Sequence, residues 1–324
     1  MERHPAMIIS ASYRTDIPAF YPAWFRARLE EGGCTVINPY GGRPYTVHLD
    51  PASVDGFVFW SRNIAPFADA LKIVAERGHP FVVQMTITGY PRALDRSVIP
   101  PEDAIAQLRA LVEQYDPDCA VWRYDPVLIT DVTPAQWHRR SMEALASALA
   151  GVVNEVVLSH ATIYRKTRRN LDRLHAATGI RWYDPSEDHK AALLTDLGII
   201  AARYGMTPTL CSQDWLLGES MAPARCIDPD RLSRIAGRSI RARRRAARSD
   251  CRCGEARDIG GYETCPHGCI YCYAVESRDR AVKAFQAQSV DDPALCAPKR
   301  GGPAAGDGAG ASAPSARGQG GNRG

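Results

Sequence analysis

Short runs rich in β-branched and aromatic residues alternate along the chain with segments whose apolar positions recur at helical spacing, up to about residue 290. The first kind predicts strands over 8–12, 34–38, 56–61, 81–88, 120–124, 153–159 and 207–212, with an eighth over 259–264. The second kind predicts helices over 22–31, 65–77, 101–115, 134–150 and 188–204. Pro22, Pro101 and Pro134 fall in the first helical turn, where a missing N–H costs nothing. The segment 44–49 breaks the alternation and reads as an added hairpin strand. Strands joined mainly by helices predict a parallel α/β fold. A (β/α)8-type barrel, closed or partly open, fits the count, and a doubly wound sheet satisfies the same pattern. Polar groups gather at the predicted strand ends: Ser12 to Asp16, Trp60 to Asn63, Gln84 to Thr88, Arg123 to Asp125, and Ser159-His160. The active face of such a barrel needs this placement. The division expected is one barrel-like domain over 1–291, then a disordered Ala/Gly/Pro-rich tail over 292–324.

Composition narrows the class. With 324 residues, 45% hydrophobic and 23% charged, the chain can bury a sizeable core. No apolar run reaches the roughly 18 residues a membrane span needs, so no membrane partner is expected. The opening Met1-Glu2-Arg3-His4-Pro5 leads directly into a strand without a secretory apolar stretch, which predicts a cytoplasmic protein. In a reducing compartment, clustered cysteines point to metal rather than to disulfides. Seven of the ten cysteines lie between Cys211 and Cys272. Cys34 and Cys119 border predicted strands as small buried residues, and Cys296 sits beside the tail. The net charge of +4 is unevenly spread, with eight arginines between Arg231 and Arg248. That run is either a solvated face or an electropositive lip for nucleic acid; it lacks the interleaved aromatics that stack on bases.

The sharpest local signal is Thr264-Cys265-Pro266-His267-Gly268-Cys269-Ile270-Tyr271-Cys272-Tyr273-Ala274. Three thiolates on one tight loop suit three irons of a 4Fe–4S cubane and leave the fourth iron open. Gly268 allows the sharp turn such a loop needs. Zinc is the rival metal, with His267 inside the loop and Cys251 and Cys253 upstream to complete a site. Farther along, Cys211, Cys226, Cys251 and Cys253 supply four thiolates, enough for a second Fe–S cluster or a zinc; the alternative is that they are buried or locally used residues. No P-loop, dinucleotide fingerprint or nucleophile elbow competes as a catalytic centre.

The Cys-x3-Cys-x2-Cys spacing of Cys265, Cys269 and Cys272 resembles the radical S-adenosylmethionine (SAM) superfamily. The Tyr-Cys-Tyr ending is similar to the cysteine loops of spore photoproduct lyase and its relatives. The resemblance implies that these three cysteines ligate a 4Fe–4S cluster and that SAM chelates the open iron. It also implies that Tyr271 packs near the adenine, and that a flavodoxin or ferredoxin delivers the electron. A 5′-deoxyadenosyl radical would then act on a substrate. Over its length the chain also resembles a bacterial family of unknown function with a C-terminal cysteine cluster of this kind. That likeness is carried by Ile9 to Pro18, Phe59 to Asn63, Thr86 to Tyr90, and Trp122 to Pro126.

Radical SAM enzymes carry the cysteine loop after the first strand, whereas here it is C-terminal. A circularly permuted barrel accommodates both facts, setting the strand before the loop beside strand 8–12, with 273–287 as the helix that follows. On this mapping Ser12, Arg14, Ser61, Arg62 and Thr86 become the SAM contacts. The resulting expectation is a radical SAM-type enzyme. The alternative is a non-catalytic Fe–S or zinc protein that binds nucleic acid through the arginine run.

Overall fold

The computed structural model describes residues 7–39, 41–244 and 250–295. Within them the strands are β1 (Met7–Ala11), β2 (Gly33–Ile37), β3 (Pro44–His48), β4 (Val54–Ser61), β5 (Phe81–Thr86), β6 (Ala120–Val127), β7 (Ile129–Thr130), β8 (Glu155–His160), β9 (Trp182–Tyr183), β10 (Thr207–Leu210), β11 (Ala222–Pro223) and β12 (Ala256–Asp258). Nine α-helices accompany them. These are α1 (Ile17–Phe20), α2 (Pro22–Glu31), α3 (Ala68–Glu76), α4 (Pro101–Gln114), α5 (Ala135–Leu149), α6 (Arg165–Thr178), α7 (Glu187–Arg203), α8 (Pro229–Ala236) and α9 (Arg278–Ala287). Eight strands form one sheet in the order β11-β10-β8-β6-β5-β4-β1-β12. Every pairing in it is parallel.

The sheet must curl. Eight strands about 4.8 Å apart would set the edges about 34 Å from each other if flat. Yet Gly254 N donates to Ile227 O at 2.9 Å, only a few residues from each edge strand. Six residues of extended chain reach only about 20 Å. No ladder joins β11 to β12 among the described residues, so the curl stops short of a hydrogen-bonded ring.

Alternate side chains explain the layers. Ile9, Phe57, Phe59, Val83, Trp122 and Leu158 face outward into the large core beneath the helices. Ile8, Val58, Val82, Val121 and Val157 face inward, where Leu232 of α8 and Ile240 close the floor. Toward the C-terminal strand ends the inward positions turn polar, with Ser10, Gln84, Arg123 and Ser159 all buried.

Three expectations need correction. Strand 34–38 does not join the main sheet; it pairs antiparallel with β3 in a separate hairpin. The strand before the cysteine loop lies earlier than 259–264, as β12. Ile259 N still donates to Ser10 O, but a Cβ on Gly260 would fall 2.0 Å from Ser12 Oγ, so the chain must turn away at a glycine. The first residues of the expected tail are packed: Pro293 O accepts from Thr35 N at 2.7 Å, and Leu295 is buried. Cys296 with the rest of that tail, and Arg245 and Arg248 of the arginine run, lie outside the described residues.

His138 on α5 is fully buried, with Tyr124 Oη 2.9 Å from its Nδ1 and Leu128 O 3.0 Å from its Nε2. The carbonyl can only accept, so Nε2 carries the proton and the ring is neutral. Burial pushes its pKa down to about 4 from the ordinary 6.5. Below pH 6.5 the unfolded chain takes up a proton that the folded chain refuses until about pH 4, so stability falls as the pH drops through that window. In urea unfolding, roughly 2 kcal/mol of the stability lost between pH 7 and pH 5 should disappear in His138→Gln, the rest being shared with His160, whose pKa burial also holds down at about 4. An unchanged pH slope in that variant would refute the assignment.

Candidate functional site

The cysteine loop reaches the strand ends because β12 pairs with β1, Asp258 standing opposite Ser10. The Asp258 carboxylate accepts from Ser10 Oγ at 2.8 Å, Ser12 Oγ at 2.7 Å, Tyr13 N at 3.1 Å and Gly260 N at 3.0 Å. Burial raises its pKa, and Arg14 alongside opposes that rise. The loop itself is pinned from several directions. Tyr21 Oη donates to Thr264 O at 2.6 Å, and Ile270 N donates to Leu94 O at 2.9 Å. His267 Nε2 lies 2.8 Å from Asp16 Oδ2, and Ser97 N donates to His267 O. Gly268 has φ +75°, and a Cβ there would meet Arg278 Cδ at 2.5 Å. Both the turn and the close approach require glycine.

A buried knot of polar groups joins this loop to β4 and β5. Asp16 accepts from Ser61 Oγ at 2.8 Å and from Arg62 N at 2.7 Å, which aims the Arg62 side chain. Asp95 takes both ends of that guanidinium, Nη1 at 3.2 Å and Nη2 at 2.7 Å. Arg62 also donates to Thr88 Oγ1 at 2.8 Å, to Tyr271 Oη at 2.5 Å and to Cys269 Sγ at 3.3 Å. Tyr271 Oη in turn donates to Asp95 at 2.8 Å. Burial opposes the Arg62 charge, but Asp95 and Tyr271 hold its pKa well above the usual value. Arg62, Thr86, Tyr90 and Asp95 line a cavity of about 280 Å³ beside this knot.

The three loop thiols interact electrostatically with one another. Burial pushes the Cys265 pKa up to about 12, with nearby Asp16 adding to the shift. Cys269 is raised well above its ordinary value by burial and Asp95, and Cys272 is raised by burial. Any metal must therefore displace their protons. Among the described residues, no three or more His, Cys, Asp or Glu side chains stand as a formed metal shell. The donor set nonetheless suits an iron–sulfur cluster: three half-buried cysteines on one loop, with the Arg62 guanidinium and Ala274 N hydrogen-bonded to Cys269 and Cys272. His267 has Asp16 on one ring nitrogen and Ser97 O 3.4 Å from the other, so it does not stand free as a zinc ligand.

The other expected residues are sorted by these networks. Ser12 and Arg14 gather around Asp258, Ser61 and Arg62 around Asp16 and Asp95, and Thr86 lines the cavity. Tyr271 is buried, edge-on to Tyr90. Cys211 and Cys226 lie in contact, Sγ to Sγ 3.8 Å, and Cys253 packs with both at the inner face of the sheet, its Sγ accepting from Ile227 N at 3.4 Å. Within the arginine run, Arg231 pairs with Glu155, Arg234 with Asp118 and Arg238 with Asp55. Sequence reading missed Asp95 and Asp258. Asp258 carries a faint signal, an acidic residue directly before Ile-Gly-Gly and the cysteine loop; Asp95, inside a loop, carries none.

The fold and site define a parallel α/β protein with a cysteine loop seated at the C-terminal ends of its strands. Residues 8–274 match the model of a family described as a domain of unknown function (DUF1848), and the chain belongs to that family. The match takes in both groups of cysteines. No curated protein matches the chain.

The Arg62–Asp95 pair tests the knot. Asp95→Ala should cost about 3–5 kcal/mol in urea unfolding, because it strands a buried guanidinium. The double change Arg62→Met with Asp95→Leu should cost less than that single one. A loss under about 1 kcal/mol for Asp95→Ala, the range of exposed pairs, would show that the pair is not buried as described.

Proposed function

We propose that the chain is a 4Fe–4S protein of the radical SAM type, with Cys265, Cys269 and Cys272 as the cluster ligands. The observation that carries this reading is positional. The loop follows a strand that pairs in parallel with β1, so the β12–loop–α9 unit lies next to the first strand, as a permuted barrel requires. Its sulfurs stand beside the polar ends of β1, β4 and β5. When bound, such a cluster supplies the electron for reductive cleavage of SAM to a 5′-deoxyadenosyl radical; a flavodoxin or ferredoxin is the electron donor this chemistry calls for.

The chain's own residues would position and shield. Arg62 donates to Cys269 Sγ and is fixed by Asp95, so it holds that sulfur rather than a ligand carboxylate. Arg14 is the cation left for the SAM carboxylate, its Nε 3.7 Å from Asp258 and without a hydrogen bond. Ser12, Ser61 and Thr86 remain the neighbouring polar groups. Tyr271 presents its ring edge while its hydroxyl is held by Asp95. At the inward strand ends, Trp60, Arg123, Asp125 and Ser159 would offer polar groups to a substrate; Arg123 is paired with Asp125 and stacked over Trp60.

Anaerobically reconstituted protein should contain iron and sulfide that are lost when Cys265, Cys269 or Cys272 is changed to Ala. Adding SAM to the reduced protein should shift its EPR signal and yield 5′-deoxyadenosine. Tyr271→Ala should keep the iron and weaken SAM binding, and Cys34→Ala should change neither. A cluster indifferent to SAM, in protein that binds nucleic acid with a steep salt dependence, would replace this reading with the non-catalytic one. Stoichiometric zinc on these three cysteines would remove the cluster and leave the non-catalytic zinc alternative.

A further inference from the structure

The gap between β11 and β12 is the weak place in the sheet, and four cysteines are gathered there from three separate stretches of chain. Cys211 follows β10, Cys226 follows β11, and Cys251 and Cys253 precede β12. Cys211 and Cys226 touch, Sγ to Sγ 3.8 Å, Cys253 packs into the same cluster, and Cys251 lies two residues before it. Gly254 N to Ile227 O is the backbone bond across the seam, and Ile227 N points at Cys253 Sγ from 3.4 Å.

We propose that Cys211, Cys226, Cys251 and Cys253 bind a single thiophilic divalent ion, zinc in class, which closes the seam that the strands leave open. Distance decides between a mononuclear site and a second iron–sulfur cluster. Four sulfurs on one tetrahedral ion, with bonds of about 2.3 Å, sit about 3.8 Å apart along each edge. Cys211 and Cys226 stand 3.8 Å apart, Sγ to Sγ. In a cubane each cysteine sulfur binds a different iron, so ligands to it are held much farther from one another than these two. The four thiols do not stand as a formed shell among the described residues, so coordination must draw them together around the ion.

The surroundings have the charge a tetrathiolate demands. Four thiolates around a divalent ion carry two net negative charges, which need donors when buried. Arg123 Nη1 points at Cys226 Sγ from 2.9 Å, and Ile227 N supplies an amide donor to Cys253. Arg244 Nε donates to Cys251 O at 3.3 Å, and Arg252 lies between the last two cysteines. The arginine run thus gains a local purpose beside its ion pairs: part of it lines the seam.

The test separates this site from the cluster loop by removing the loop's ligands first. Full-length protein carrying Cys265→Ala, Cys269→Ala and Cys272→Ala should retain one zinc per chain and no sulfide. Replacing that zinc with cobalt should give intense thiolate-to-metal charge-transfer and tetrahedral ligand-field bands. Adding Cys226→Ser and Cys253→Ser should abolish both the metal and the bands. Should that combined variant not fold, removing the zinc from the triple variant with a chelator, then adding cobalt, gives the same readout on intact sulfurs. Iron with sulfide in the triple variant would overturn the mononuclear site. So would metal-free protein whose four seam cysteines titrate as free thiols, or a Cys211–Cys226 disulfide found by mass spectrometry. None of these results depends on whether the Cys265 loop binds a cluster.

Discussion

Asp258 is where the two ends of the chain are held together. Ser10 and Ser12 of the N-terminal strand region, Tyr13 N and Gly260 N all donate to its carboxylate, with Arg14 nearby as the counter-charge. A buried carboxylate is costly unless paired and hydrogen-bonded, and here it is both. Satisfying it fixes β12 in register against β1, and everything after β12 inherits that placement. The three residues of β12 supply little ladder of their own. Without this polar anchor, nothing in so short an edge strand would place the cysteine loop at the sheet's C-terminal side.

From that anchor the loop is secured by two carboxylates on the opposite wall. Asp16 caps α1 through Ala19 N and also receives Ser61, Arg62 N and His267. Asp95 receives Arg62 and Tyr271. Each network links a loop residue to groups on different strands, so the loop cannot shift without breaking several buried bonds at once. Such support makes a site pre-organised, because side chains that must meet a ligand are already held by neighbours that do not. The same groups set the local electrostatics. A guanidinium at Cys269 favours the thiolate a metal needs, and its pairing with Asp95 keeps it from acting as a free cation.

The alternating pattern made the parallel α/β class legible, along with most of β1, β4, β5, β6, β8 and β10, because strands buried on both faces read as apolar runs. The count of eight was right for a wrong reason: strand 34–38 went to a hairpin, and the two-residue β11 took its place. Helix α6 escaped notice because its inward stripe is Thr167, Asn170, Leu171 and Leu174, half of it polar. The cysteines were legible as a group, since thiol clustering survives in one dimension. Their partition was legible only in part. Spacing reveals a loop such as 265–272, whereas the meeting of Cys211 with Cys226 depends on how β10 and β11 end. Arg62 could be found at a strand end, but its partner Asp95 lies in a loop whose path no periodicity dictates.

The position of the loop also makes the site depend on the whole fold. Ser10 and Asp258 are 248 residues apart in the chain, so the contact that carries the loop into place is among the least local in the molecule. Closing so long a loop costs conformational entropy before any bond rewards it. That cost is recovered only if β1 is already part of a sheet that β12 can join, with Ser10 and Ser12 facing inward from it. The polar strand ends at Trp60, Arg123, Asp125 and Ser159 come from strands that pair with one another in sequence order, and they need no contribution from the C-terminus. The cysteine loop is therefore added to strand ends assembled from the rest of the chain. A C-terminal loop is well suited to that arrangement: it brings its thiols to the strand ends through β12, the segment whose place depends on β1 being there to receive it.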